Sequence, residues 1–400
     1  MSLTQCWRWY GPIDIVRLAD IRQAGAVGIV HALHHIPTGE VWPKDDILSR
    51  KKIIEGEKTA TGLKWQVIES LNVHESIKQG RSDRDSFIEN YIDSLINIGD
   101  AGIKTVCYNF MPILDWTRTN LSYQLQNGAI ALKYDAIALA AFDMFILQRK
   151  NAELDYSTEL KNKAKSFYDK LTTDEADKLC SAILQGVPGS KENLRIEDFQ
   201  ELLLQYEGIS KKQLQKNLLY FLERVIPTAE KVGIKMCCHP DDPPFSLFGI
   251  PRIVSNEVDL KYLIDGVPSS SNGITFCTGS LAPDPSNNLV SIIKNLGSNI
   301  HFVHLRNIKR NSVWGFYESD HLNGDVDMPS VYMALLKESQ NRKEKGRDDF
   351  EIPFRPDHGH QILDDINKKM PFHGYSAIGR LKGLAELRGL ELGLKKSLEL

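Results

Sequence analysis

Eight short apolar runs punctuate the chain, at residues 6–10, 27–33, 64–70, 104–111, 234–239, 273–278, 299–306 and 351–355. They show little sustained apolar–polar alternation, which predicts parallel strands covered on both faces. Amphipathic stretches with helical spacing separate them: Ile15, Leu18 and Ile21 behind a capping Asp14, then residues 86–101, 221–232 and 289–296. Gly25, Gly102, Gly233 and Gly297 stand where these helices should stop. Eight such units predict an α/β fold, a (β/α)8 TIM barrel, whose chemistry sits at the C-terminal ends of the strands.

One stretch breaks the rhythm. Residues 112–215, between the fourth and fifth runs, are highly charged, with a helical texture at 132–149, 158–168 and 173–185 and a Val187-Pro188-Gly189 turn. A structureless loop of that length is uncommon in a compact domain. The stretch therefore predicts a helical insertion, a lid or an oligomer contact, within a single barrel domain spanning 1–400. The tail from Leu381 places Leu384, Leu387, Leu390, Leu392 and Leu394 in a helical pattern expected to pack on the barrel exterior.

Composition removes several function classes. A net charge of −3 gives no basic footprint, so nucleic acid is not the expected partner and a nuclease is disfavoured. Six cysteines without framework spacing predict reduced thiols and a cytoplasmic location. No apolar stretch is long enough to span a bilayer, and the N-terminus lacks a signal-peptide core.

The chemistry gathers at strand ends. His239, Cys277, His304 and Asp357 close the last four runs. Any one of them alone reads more simply as a packed side chain, because Cys in particular is often buried. Four ligand types on four consecutive strand ends instead point to one ion, since barrel strand ends converge on the axis. Imidazole, thiolate and carboxylate together suit Mn, Fe, Co or Zn better than Ca or Mg.

Around that set stand groups that could handle an anionic substrate. Arg355 can clamp a carboxylate bidentately, and His358 can serve as acid or base near neutral pH. Tyr375 is placed as a proton donor or substrate contact, while His360 reads equally well as decoration of a Gly turn. Asn109 and Arg118 can hold hydroxyls, and Trp116 can stack on a sugar face. His321 follows the seventh run, in a turn where Asp325 and Asp327 read as turn formers. Arg8, between Trp7 and Trp9, can point into the barrel, and His34-His35-Ile36-Pro37 can line its mouth. The glycines of Gly374-Tyr375-Ser376-Ala377-Ile378-Gly379-Arg380 do not match a phosphate-cradling loop.

Several strings resemble a known family: Trp7-Arg8-Trp9-Tyr10-Gly11-Pro12, His31-Ala32-Leu33-His34-His35-Ile36-Pro37, Cys107-Tyr108-Asn109-Phe110-Met111-Pro112, His239-Pro240-Asp241-Asp242-Pro243-Pro244, His321-Leu322-Asn323-Gly324-Asp325-Val326-Asp327-Met328, Arg355-Pro356-Asp357-His358-Gly359-His360 and Gly374–Arg380. Together they resemble the mannonate dehydratases over nearly the whole chain. The resemblance implies a xylose-isomerase-like barrel that dehydrates D-mannonate to 2-dehydro-3-deoxy-D-gluconate in glucuronate catabolism with Mn(II) or Fe(II). It implies His239, Cys277, His304 and Asp357 as metal ligands, and Arg355, His358 and Tyr375 as substrate-binding or proton-transfer groups. A homo-oligomer is expected. The segment after Cys277 departs from the family's charged pattern, with only Asp284 in Ser280–Asn288. The competing readings are a metal-dependent sugar isomerase or epimerase on the same barrel, disfavoured by a thiolate ligand, and a non-catalytic sugar-acid binding protein.

Overall fold

A computed structural model of the chain describes residues 3–56, 61–185 and 194–398, so the Val187-Pro188-Gly189 turn lies outside the described residues. Its strands are β1 (Thr4–Arg8), β2 (Gly28–His31), β3 (Lys64–Glu69), β4 (Thr105–Tyr108), β5 (Asn120–Gln124), β6 (Ile130–Asp135), β7 (Lys235–Cys238), β8 (Asn272–Cys277), β9 (Ile300–His304), β10 (Asn307–Ser312), β11 (Gly315–Ser319) and β12 (Pro353–Arg355). Eight of them close into a parallel barrel in the order β1-β12-β9-β8-β7-β4-β3-β2. All eight apolar runs supply its staves.

The two-residue period of a strand explains how the barrel presents its chemistry. Cys6, Val30, Val67, Cys107, Cys237 and Phe302 fill the lumen, all fully buried. Their neighbours Trp7, Ile68, Val106, Cys238 and Val303 face outward into the main core under the helices. Two residues beyond the lumen layer, toward the C-terminal rim, stand Arg8, Glu69, Asn109, His239 and His304. Register completes the ring: Cys277 pairs with His304, and His304 with Arg355.

Helix boundaries mostly follow the sequence pattern. Helices Arg84–Asp100 and Leu289–Leu296 lie where periodicity put them, whereas Lys211–Val232 begins well before the expected residue 221, inside the stretch read as the insertion. Gly102 and Gly233 take φ of 77° and 71°, the left-handed conformation that ends a helix without Cβ strain. Asp14 does not cap the first helix. Its carboxylate accepts from the backbone N–H of Tyr10 and Val16, and the helix begins later, at Leu18–Gln23. In the C-terminal helix Ala377–Leu398, Leu384 and Leu387 are fully buried, but Leu392 is 66 % exposed because it falls off the packed face.

The stretch between β4 and β7 differs from the expected run of helices. Helices Thr158–Tyr168 and Thr173–Leu184 form as expected. Residues 132–149 do not make one helix: β6 occupies their start, followed by helix Ala136–Ala141 and a π-helical turn Phe142–Ile146. Strands β5 and β6 join β10 and β11 in a second, four-stranded antiparallel sheet of order β10-β11-β6-β5. Cross-strand pairing of Phe316 with Tyr134 selects strand over helix there. No helix among the described residues is long and apolar enough to cross a membrane.

Candidate active site

The rim residues enclose a cavity lined by Arg8, Tyr10, Glu69, Ser70, Asn109, Asp115, Trp116, His239, Asp242, Arg306, Arg355, Asp357, His358 and Tyr375. Beside it, one ligand atom each of His239, Cys277 and His304 lies within 4.8 Å of the others. His239 Nδ1 is 2.7 Å from the Pro240 carbonyl oxygen, an acceptor only, so Nδ1 carries the proton and Nε2 keeps its lone pair. That Nε2 stands 3.1 Å from His304 Nδ1. His304 Nε2 accepts from Arg355 Nε at 3.1 Å and lies 3.5 Å from Glu69 Oε2, while Nδ1 faces the cluster. Asp357 borders the cluster, with Oδ2 3.7 Å from Cys277 Sγ and Oδ1 4.0 Å from His304 Nδ1. Two imidazoles, a thiol and an adjoining carboxylate make a donor set that fits a borderline divalent ion.

Asp357 is held at φ 65°, the left-handed region that non-glycine residues enter at a cost of order 1–3 kcal/mol. Burial alone would raise its carboxyl, yet Arg355, His358 and Arg306 keep it well below the usual carboxylate range. Strain and charge compensation both converge on this one residue. The segment after Cys277 contributes Ser280, whose Oγ is 3.0 Å from Cys277 Sγ.

A buried ion network surrounds the cluster. Arg306 donates to Asp242 and to Glu318 Oε1 (2.7 Å) and lies 3.2 Å from Asp357. It passes so close over Gly279 that a Cβ there would sit 2.1 Å from Arg306 Nε, which is why no side chain fits at that position. Arg118 is fully buried and pairs with Asp242 (2.7 Å) and Glu318 (2.8 Å). Arg355 donates to both oxygens of Glu69 (2.7 and 3.0 Å) and to Asp357. Glu318 in turn meets His358 Nδ1 at 2.9 and 2.8 Å. Burial would push the Glu318 carboxyl up, but His358, Arg306 and Arg118 hold it down to about 2.

The expected site residues therefore divide. His239, Cys277, His304, Asp357, Arg355, His358, Tyr375, Arg8 and Asn109 come together at the rim. Arg118 and His321 do not line the cavity. Arg118 is consumed by its two carboxylates, and His321 donates Nε2–H to the Pro356 carbonyl (2.6 Å) under Gly383. They brace the loops behind the site rather than offering groups to a substrate. His360 donates to the Glu318 carbonyl (2.8 Å), and His34 stacks on Tyr10 at the edge of a neighbouring pocket. Arg355 is engaged on every nitrogen, whereas Arg8 keeps Nε without a hydrogen-bond partner and Nη1 in only an ion pair with Glu69 Oε2 at 3.4 Å.

Sequence reasoning missed Glu69, Asp242, Arg306 and Glu318. Glu69 ends β3 and had the same strand-end signal as the ligands. Asp242 and Arg306 lie within strings already singled out, but Glu318 sits in a strand with no recognisable pattern.

A closed (β/α)8 barrel with imidazole, thiol and carboxylate donors at its C-terminal rim defines a metal-dependent barrel enzyme. The family model described as D-mannonate dehydratase (UxuA) matches residues 3–399, and the chain belongs to that family. It is 51% identical over 393 residues to a mannonate dehydratase of Marinomonas sp. (strain MWYL1), covering 98% of this chain and 99% of the relative. It is 48% identical over 388 residues to one from Saccharophagus degradans, covering 97% of each. The crystal structure of mannonate dehydratase from Streptococcus suis serotype 2 superposes with a TM-score of 0.77 at 33% identity, over 100% of this chain and 95% of that one. A D-tagatose 3-epimerase-like protein shares the fold alone, with a TM-score of 0.50 at 10% identity, over 99% of this chain and 100% of that one.

The thiol gives a direct test of the ligand set. Cys277→Ser should weaken binding of added Mn or Fe by at least about 10- to 100-fold while leaving the unfolding midpoint of the metal-free protein near wild type. Metal titration followed by thermal unfolding checks both halves.

Proposed function

We propose that this chain removes water from D-mannonate to give 2-dehydro-3-deoxy-D-gluconate, with a divalent ion held by His239, Cys277, His304 and Asp357. The observation that carries the reading is one wall of the cavity: His358 and Tyr375 stand with ring centroids 4.9 Å apart, beside the ligand cluster and within reach of Arg8. Elimination needs a proton taken from C2 and one given to the departing C3 hydroxyl. The C2–H pair becomes the C2=C3 bond, the C3–O bond breaks, water leaves, and the enol settles as a 2-oxo acid.

Burial raises the Tyr375 phenol, so it stays protonated at neutral pH and suits the role of donor. His358 then takes the C2 proton. Arg8, with Nε free of hydrogen bonds and Nη1 held only by an ion pair to Glu69 (3.4 Å), receives the substrate carboxylate, a part the engaged Arg355 is less free to play. Arg355 instead keeps Glu69 and Asp357 in place. Asn109, Asp115 and Trp116 offer polar atoms to the sugar hydroxyls, and the last two sit at the start of the insertion in a position suited to a lid. A bound Mn or Fe supplies Lewis acidity at the acidic end of the substrate.

The test is product analysis with D-mannonate, its epimer altronate and an aldose–ketose pair. Formation of the 2-oxo-3-deoxy acid from mannonate is expected, and isomerisation without loss of water overturns the reading. A cytoplasmic homo-oligomer belongs to the same reading, and light scattering measures the assembly.

A further inference from the structure

We propose that Glu318 is the positioning residue for His358, and that the four-stranded rim sheet serves to deliver it. The proposal rests on the reading of His358 as a proton-transfer group. Glu318 lies on β11, only 4% exposed, and both its oxygens are within 2.9 Å of His358 Nδ1. A carboxylate accepts and cannot donate, so it fixes the proton on Nδ1 and leaves the lone pair of Nε2 for the reaction.

The neighbourhood makes this choice necessary. Arg306 Nη1 stands 3.2 Å from the same Nδ1. Without the carboxylate, that guanidinium would donate to Nδ1 and drive the proton to Nε2, the tautomer unable to accept one. Glu318 thus settles a competition between an acceptor and a donor for one ring nitrogen. Its own geometry is over-determined. Arg118 Nη2 (2.8 Å) and Arg306 Nη1 (2.7 Å) pin the carboxylate, and His360 donates to its backbone carbonyl. Pairing of β11 with β6 ties it to the stretch between β4 and β7.

The experiment is a double-mutant cycle of Glu318→Gln and His358→Asn on the metal-loaded enzyme, reading kcat and KM for D-mannonate together with metal content. Glu318→Gln should lower kcat by about 10- to 100-fold, with KM within about threefold and metal content unchanged. In the His358→Asn background the same change should cost less than about threefold, because a residue acting through His358 has nothing left to position. Equal losses in both backgrounds, or wild-type kcat in Glu318→Gln, overturn the proposal. If Glu318→Gln does not fold, Glu318→Asp keeps the charge between the arginines, withdraws the oxygens by one methylene, and is read in the same cycle. Near-normal turnover of His358→Asn alone marks failure of the underlying reading instead.

Discussion

His358→Asn should lower kcat for dehydration by about 10²- to 10⁴-fold, the span expected when a positioned proton-transfer group is lost. Tyr375→Phe should give a loss of the same order. Both rings line the cavity, and neither belongs to the His239–Cys277–His304 cluster. Metal content should therefore stay near wild type in each variant, and KM should move far less than kcat, because the interactions removed matter mainly in the transition state. Metal analysis with steady-state kinetics on the two variants checks this. If both retain near-normal turnover with metal bound, the acid–base assignment is wrong.

Arg306→Met should be the most destabilising single change near the site, by about 3–5 kcal/mol, since it strips one partner from several buried ion pairs. Arg306 is 2% exposed and faces Asp242, Glu318 and Asp357 together. Methionine fills much of the volume but compensates none of the charge. A pH dependence accompanies the loss. Burial pushes the Glu318 carboxyl up, and His358, Arg306 and Arg118 overcome that push to hold it at about 2, against about 4.3 in an unfolded chain. A depressed folded-state value means stability that is complete above the unfolded value and lost as pH falls through the folded one. Removing Arg306 raises the folded value, so acid unfolding should begin at higher pH in the variant. Denaturant unfolding between pH 3 and 7 measures both effects.

Much of this was legible in the chain because a buried parallel strand writes itself as a short apolar run, and its last inward side chain is forced to the rim. That is why His239, Cys277 and His304 could be found without coordinates, and Glu69 carried the same signal at the end of β3. Glu318 was hidden for a physical reason. Strands β10 and β11 form a hairpin whose polar run Asn307–Ser312 holds a single apolar residue, the buried Ile308, and pairing with β6 defines them only after folding. The same pairing puts residues 132–135, the start of the stretch with helical texture, into strand β6. Arg118 and His321 were misjudged because sequence places a residue on a loop without saying which way it points. Both turn inward, to carboxylates and to a backbone carbonyl. Arg355 shows the limit in another form: a guanidinium beside the ligands reads as a clamp until Glu69, distant in sequence, is found occupying it.

The central claim is ion-dependent elimination of water from a hexonate at the His239–Cys277–His304–Asp357 rim. Its most direct measurement is formation of the 2-oxo-3-deoxy acid from D-mannonate by EDTA-stripped protein, before and after adding Mn, Fe, Co or Zn. Negligible product from the stripped protein and recovery with Mn or Fe is the predicted result. Undiminished turnover by the stripped protein, or no product with any of the ions, would contradict it.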